Sequence, residues 1–302
     1  MSHKVLVIGS GGIGSLYGAL LHKAGWQVDM VARSDYQVIK EHGVTIDSHL
    51  GDLSFKPSNV YSNTADAGTA DWLLIAIKML STTNLPELLA PVVGPNTKIC
   101  LIANGLDIEI PLAEAFPTNT LISCVAFVGS TRTKEGHIQH SSYGNMIIGD
   151  YLQNGGQECQ FFADTLNTTG IKVKVCQDIN IERWKKSIWN ASFNPLSVVT
   201  NGADTGKMLS TPESVQLIRN IMAEVIATGR AEGYELYDEL IDANIATTEN
   251  MPPYLTSMAI DYLRGNHIEL EALVGSVVGY AKQHNVEIPH LNTLYQVLKL
   301  RY

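Results

Sequence analysis

This sequence predicts an α/β fold in two parts, and three observations carry the prediction. An apolar run, Val5-Leu6-Val7-Ile8, leads into Gly9-Ser10-Gly11-Gly12-Ile13-Gly14 and then into a helix-like stretch over 15–24. Behind it, short apolar runs alternate with helical patterns, as a parallel sheet with right-handed crossovers requires. From about residue 178 the strand signals stop and only helical patterns remain. The expected architecture is an N-terminal Rossmann-type doubly wound sheet over 1–178, followed by an all-α C-terminal domain over 179–302.

Each element has its own warrant. Residues 5–8 and 27–32 read as the first two strands. Residues 72–77, 98–103 and 120–127 are continuous apolar runs, suited to strands buried on both faces. Residues 44–55 lie among Gly and Asp and suit a hairpin inserted into the wound sheet. Period-2 apolar positions over 132–148, with Gly136 and Gly144 at turn-like spacing, predict antiparallel strands at the edge of the same domain. A helix over 160–169 and a last strand over 172–176 complete the first part. Helical patterns then cover 181–194, 212–232, 237–248, 257–264, 269–284 and 290–300. Pro195 is expected to kink or end the first of these. No low-complexity linker separates the parts, so two packed domains with a ligand cleft between them are expected.

Composition narrows the partners. The chain has 302 residues, 45% hydrophobic and 17% charged, enough for a sizeable core. A net charge of −9 argues against nucleic acid or an anionic membrane as the main partner. No apolar run reaches the roughly 18 residues of a membrane span, and Met1-Ser2-His3-Lys4 leaves no room for a signal peptide before the first strand. Cys100, Cys124, Cys159 and Cys176 lack metal-ligand spacing, as do the histidines. No metal is expected, and the thiols read as reduced groups of a cytoplasmic protein.

The glycine-rich turn points to a dinucleotide. Gly9 turns the chain sharply off the strand, Gly11 lets backbone approach a pyrophosphate, and Gly14 lets helix and strand pack closely. Unpaired N–H groups at the helix start complete an anion site, so Gly9, Ser10, Gly11, Gly12, Ile13 and Gly14 are candidate cofactor residues. The second strand ends Met30-Val31-Ala32-Arg33-Ser34, where NAD-binding chains place a carboxylate for the ribose 2′-hydroxyl. Arg33 suits a 2′-phosphate instead, by a charge-assisted contact, which favours NADP. Asp29 and Asp35 stand too early and too late for the ribose.

A second informative block is Arg183-Trp184-Lys185-Lys186-Ser187-Ile188-Trp189-Asn190-Ala191-Ser192-Phe193-Asn194-Pro195-Leu196. Lys186, Asn190 and Asn194, spaced i, i+4, i+8, line one stripe of a helix. Trp184, Ile188, Trp189, Ala191 and Phe193 would bury its other sides. Asparagine forms helices poorly, so two in register call for a polar partner such as a substrate.

Together the glycine turn, this block and a C-terminal pattern resemble the ketopantoate reductase (2-dehydropantoate 2-reductase) family over essentially the whole chain. That pattern is Ser257-Met258, Asp261, Gly265 and Glu269, followed by His284-Asn285-Val286-Glu287-Ile288-Pro289. The resemblance implies NADPH-dependent reduction of 2-dehydropantoate to pantoate, a step towards coenzyme A, with a small 2-oxo acid as substrate. A homodimer is a further expectation. By the same resemblance Lys186 is the catalytic general acid, and Asn190, Asn194 and Ser257 bind substrate. Asn104, in Ala103-Asn104-Gly105, and the pocket residue Glu269 serve both substrate and cofactor. Lys78, after Ile75-Ala76-Ile77, lies beside the cofactor, and Arg33 takes the 2′-phosphate position. Tyr254 stands where some members carry asparagine, and Ala103 where many carry glutamine. A reductase of another short 2-oxo acid therefore stays open, as does an NADP-binding regulatory protein without turnover.

Overall fold

A computed structural model of the protein describes residues 3–301. The described residues form a sheet of ten strands: β1 (Lys4–Ile8), β2 (Gln27–Val31), β3 (Val44–Ser48), β4 (Leu53–Phe55), β5 (Val60–Tyr61), β6 (Trp72–Ile75), β7 (Lys98–Ile102), β8 (Leu121–Lys134), β9 (His137–Asp150) and β10 (Val173–Val175). Their order is β4-β3-β9-β8-β7-β6-β1-β2-β5, with β10 pairing to β9. From β5 through β2, β1, β6 and β7 to β8 every pairing is parallel, in the order 3-2-1-4-5-6 of a doubly wound Rossmann sheet. The strand order reverses between β1 and β6, so the end of β1 opens at the switch point. All four residues of β6 are buried, as a strand covered on both faces demands.

Residues 44–55 do form a hairpin, with Val44 opposite Phe55. The strands over 132–148 are antiparallel as expected but are not an edge. β9 is flanked by β8, β3 and β10, and the inserted hairpin supplies the far edge instead. Sequence alternation reports which face of a strand is buried and carries nothing about its neighbours.

Five helices alternate with these strands along the chain: α1 (Gly12–Lys23), α2 (Tyr36–His42), α3 (Leu85–Leu89), α4 (Ile110–Ala115) and α5 (Gly156–Asn167). The remaining helices are α6 (Ile179–Val199), α7 (Thr205–Met208), α8 (Pro212–Ala231), α9 (Glu239–Glu249), α10 (Ser257–Leu263), α11 (Ser276–Gln283) and α12 (Pro289–Lys299), with a π-helical segment, Glu271–Gly275, before α11. No strand follows residue 175 among the described residues, and no helix is long and apolar enough to cross a membrane.

The chain divides into two compact units. The first runs up to Lys78 and includes Asn84–Ala103 and Glu109–Ile179; the second takes the chain from Asn180 together with Met79–Thr83 and Asn104–Ile108. The first has a core of sheet residues and aromatics, among them Trp26, Trp72 and Phe162. The second is built on α6 and α8. Thr211 and Ser214 form a reciprocal cap on α8 with Pro212 in its first turn, and Ile218, Ile221, Met222 and Val225 bury its apolar stripe. Glu224 on that helix accepts from the backbone N–H groups of His290 and Leu291, satisfying the start of α12.

Pro195 does not end α6, which continues to Val199. An interior proline costs about 3 kcal/mol, yet Phe193, Leu196 and Val198 are buried on either side of it, and their burial outweighs that cost. The four cysteines form no disulfide.

Candidate active site

The glycine turn lies at the carboxyl end of β1. Gly9 has φ +109°, and a Cβ there would stand 2.5 Å from the Ala76 carbonyl oxygen, so no other residue makes this turn without strain. At Gly14 a Cβ would stand 1.9 Å from the Gly9 carbonyl oxygen, which is the close helix–strand contact that glycine permits. At Gly12 it would meet the Ser130 carbonyl oxygen of β8. Gly11 differs: a Cβ there meets nothing within 4 Å. Gly11 is the N-cap of α1; it offers no side-chain hydrogen bond, and the first turn of the helix holds no acid. Ser10 is buried, and its carbonyl accepts from Ser15 Oγ; Ile13 packs against the core. A helix start with no side-chain cap, at a glycine where a Cβ would have open space, fits a dinucleotide pyrophosphate.

Arg33 and Lys78 follow β2 and β6 at the same carboxyl edge, and both are exposed. The carboxylates near β2 have structural partners. Asp29 pairs with Lys4 at 3.1 Å and accepts from Asn59 N–H. Asp35 is fully buried and pairs with Arg132 of β8, which also donates to Ser34 Oγ at 2.9 Å. Arg132 thus sets a second cation against the Arg33-Ser34 turn. Nothing in local sequence shows it, because it arrives from a strand about a hundred residues away.

In the second unit, Lys186, Asn104, Arg183 and Glu269 come together. Lys186 Nζ donates to Asn104 Oδ1 at 2.7 Å. Burial pushes the Lys186 pKa down, the Arg183 charge lowers it further, and Glu269 opposes them; the result is about 7. Glu269 is buried, and its Oε1 accepts from the Met79 backbone N–H at 2.8 Å. A backbone donor of this kind is invisible in sequence. Arg183 was legible in principle, since it continues the polar stripe one turn upstream of Lys186.

Asn190, Asn194 and Ser257 form a neighbouring group. Asn194 Nδ2 donates to the Asn190 carbonyl at 3.0 Å, and its Oδ1 accepts from Met258 N–H at 3.3 Å and Ser257 Oγ at 3.5 Å. Asn194 is almost fully buried and ties α6 to the start of α10, whereas Ser257 is exposed. Tyr254 stacks on Trp189, with interplanar angle 12° and centroids 6.1 Å apart.

A doubly wound sheet with a dinucleotide-type turn and a second unit built of helices suit one class, the α/β oxidoreductases with a helical second domain. Comparison with known proteins narrows that class. The sequence matches the ketopantoate reductase PanE/ApbA family over residues 5–153 and the C-terminal part of the same family over 178–301, and the chain belongs to that family. It is 33% identical to a 2-dehydropantoate 2-reductase of Nostoc sp., over 98% of this chain and 94% of that one. Among solved structures, 2-dehydropantoate 2-reductase from Methylococcus capsulatus superposes with TM-score 0.91 at 41% identity, covering 98% of this chain and 96% of its own. The enzyme of that name from Geobacter metallireducens GS-15 gives 0.94 at 29% identity, over 99% and 100%.

Proposed function

We propose that this chain reduces the C2 ketone of 2-dehydropantoate to pantoate with NADPH, and that Lys186 is the general acid. The observation that carries the reading is the Lys186–Asn104 contact, with a lysine whose pKa lies near 7. NADPH, when bound, supplies the hydride to C2. As negative charge grows on the ketone oxygen, the Lys186 ammonium stabilises it and gives up one proton, leaving an alcohol and a neutral amine that regains its proton from water. Asn104 accepts a hydrogen bond from Lys186 and holds the ammonium in one orientation. Glu269, fixed by the Met79 N–H, keeps a carboxylate facing Lys186 and orients the substrate hydroxyl. Ser257 and Asn190 hydrogen-bond the substrate carboxylate and hydroxyl, and Asn194 acts through Ser257, which it orients.

For the cofactor, Gly9 to Gly14 and the start of α1 would hold the pyrophosphate, with Lys78 beside the cofactor. Arg33 would hold the 2′-phosphate next to Ser34, and the partnered state of Asp29 and Asp35 supports NADP over NAD. The test is NADPH oxidation followed at the nicotinamide absorbance band with 2-dehydropantoate, with NADH as control. NADPH-specific oxidation is expected. Oxidation only with other 2-oxo acids would displace the substrate, and NADPH binding without turnover on any of them would favour a regulatory protein.

A further inference from the structure

The polar stripe of α6 extends beyond Lys186. Arg183 lies three residues upstream on the same face and is 3% exposed. Arginines are rarely buried this deeply, so its position calls for an explanation. Its Nη1 donates to the Gly105 carbonyl at 3.2 Å, while Lys186 donates to the side chain of Asn104, the preceding residue. Two side chains one helical turn apart therefore grip consecutive residues of one loop. That loop has little slack: Gly105 has φ +126°, and a Cβ there would stand 2.9 Å from both the Ala272 carbonyl oxygen and Ile108 Cγ2. Ala272 lies in the π-helical segment that follows Glu269, and such segments often mark functional sites.

We propose that Arg183 is a positioning residue that anchors the Gly105 carbonyl and so holds Asn104 Oδ1 against the Lys186 ammonium. This rests on the reading of Lys186 as proton donor. The Arg183 charge acts on Lys186 separately from this anchoring, and in the opposite sense to the Asn104 hydrogen bond, which favours the ammonium. The charged groups facing Lys186 are Arg183 from its own helix and Glu269 from the segment ahead of α11; Asp107, on the 104–108 loop, is hydrogen-bonded by Tyr280. A neighbouring guanidinium disfavours a second cation, so it makes Lys186 a readier proton donor, while Glu269 acts in the opposite sense.

The test uses the full chain with Arg183→Met, Arg183→Gln, Arg183→Lys, Asn104→Ala and the Arg183→Met/Asn104→Ala double variant. Arg183→Met is expected to lower kcat about tenfold with KM within about twofold of wild type, and to change kcat by less than about twofold once Asn104 is alanine. Titration of Lys186 is read without turnover, by competitive acetylation with acetic anhydride and mass spectrometry. Its midpoint is expected to rise by about one pH unit in Arg183→Gln, to rise less in Arg183→Met, where the Asn104 acceptor is released as well, and to stay near wild type in Arg183→Lys. A full kcat loss persisting in the Asn104→Ala background, or equal midpoints in Arg183→Met and Arg183→Gln, overturns the proposal. Should Arg183→Met fail to fold, Arg183→Gln decides: it keeps a donor for the Gly105 carbonyl, so a kcat within about threefold of wild type is expected, and a tenfold loss overturns the proposal. Turnover retained in Lys186→Ala, with the midpoint still moving, would overturn the reading of Lys186 while supporting its coupling to Arg183.

Discussion

The glycine turn and the lysine cluster are built in opposite ways. The turn is contained in residues 9–14, and its glycines are needed where a Cβ would strike the turn's own Gly9 carbonyl or the backbone of Ala76 and Ser130 beside it. The lysine cluster gathers Met79, Asn104, Gly105, Arg183, Lys186 and Glu269 from separate stretches of chain. Its two loop segments, Met79–Thr83 and Asn104–Ile108, follow β6 and β7 in sequence yet belong to the compact unit of the helices. A site made by local sterics tolerates change or fails at single residues; a site made by long-range contacts is tuned by residues that never touch substrate.

Two glycine substitutions separate shape from binding in the first region. Gly14→Ala drives a Cβ into the Gly9 carbonyl and is expected to cost about 3 kcal/mol in urea unfolding. A loss under about 0.5 kcal/mol would show that the helix can move away. Gly11→Ala meets no protein atom, so stability should change by less than about 1 kcal/mol while NADPH binding, followed by nicotinamide fluorescence, weakens about tenfold. Unchanged binding would remove the pyrophosphate from that turn.

The second region is expected to fail first at Lys186, the proposed proton donor. Lys186→Ala should lower kcat by at least ~100-fold with little effect on NADPH affinity; near-normal turnover would eliminate it as the acid. Arg33→Ala should weaken NADPH about tenfold and leave NADH unchanged, as expected for a lost charge-assisted contact; equal losses would make Arg33 structural. The smallest effect is the pH dependence. In the proposed mechanism reduction needs protonated Lys186, and with a pKa of about 7 the protonated fraction falls from one half at pH 7 to about one tenth at pH 8. Turnover should drop roughly fivefold across that interval, and a flat profile would mean that another group donates.

Much of this was legible in the chain alone. Strand, glycine turn and helix are short-range, and the parallel order follows from alternating runs. The i, i+4, i+8 spacing called for a helix through Lys186, Asn190 and Asn194, and α6 runs through all three. Other features were not legible. β9 is interior because β3 pairs with it from a hairpin some ninety residues earlier, and period-2 alternation looks the same at an edge and in the middle. Pro195 sits within α6 because burial on both sides outweighs its local penalty, which propensity alone cannot weigh.

Sequence by itself therefore determined the fold class, the dinucleotide-type turn and the helix carrying the lysine, because backbone sterics and helical periodicity act over a few residues. Tertiary structure decided what surrounds that lysine. Arg183 at its flank, Asn104 on its ammonium and a backbone N–H on Glu269 depend on which distant loops meet α6, and a charge shifts a neighbour's pKa through space rather than along the chain.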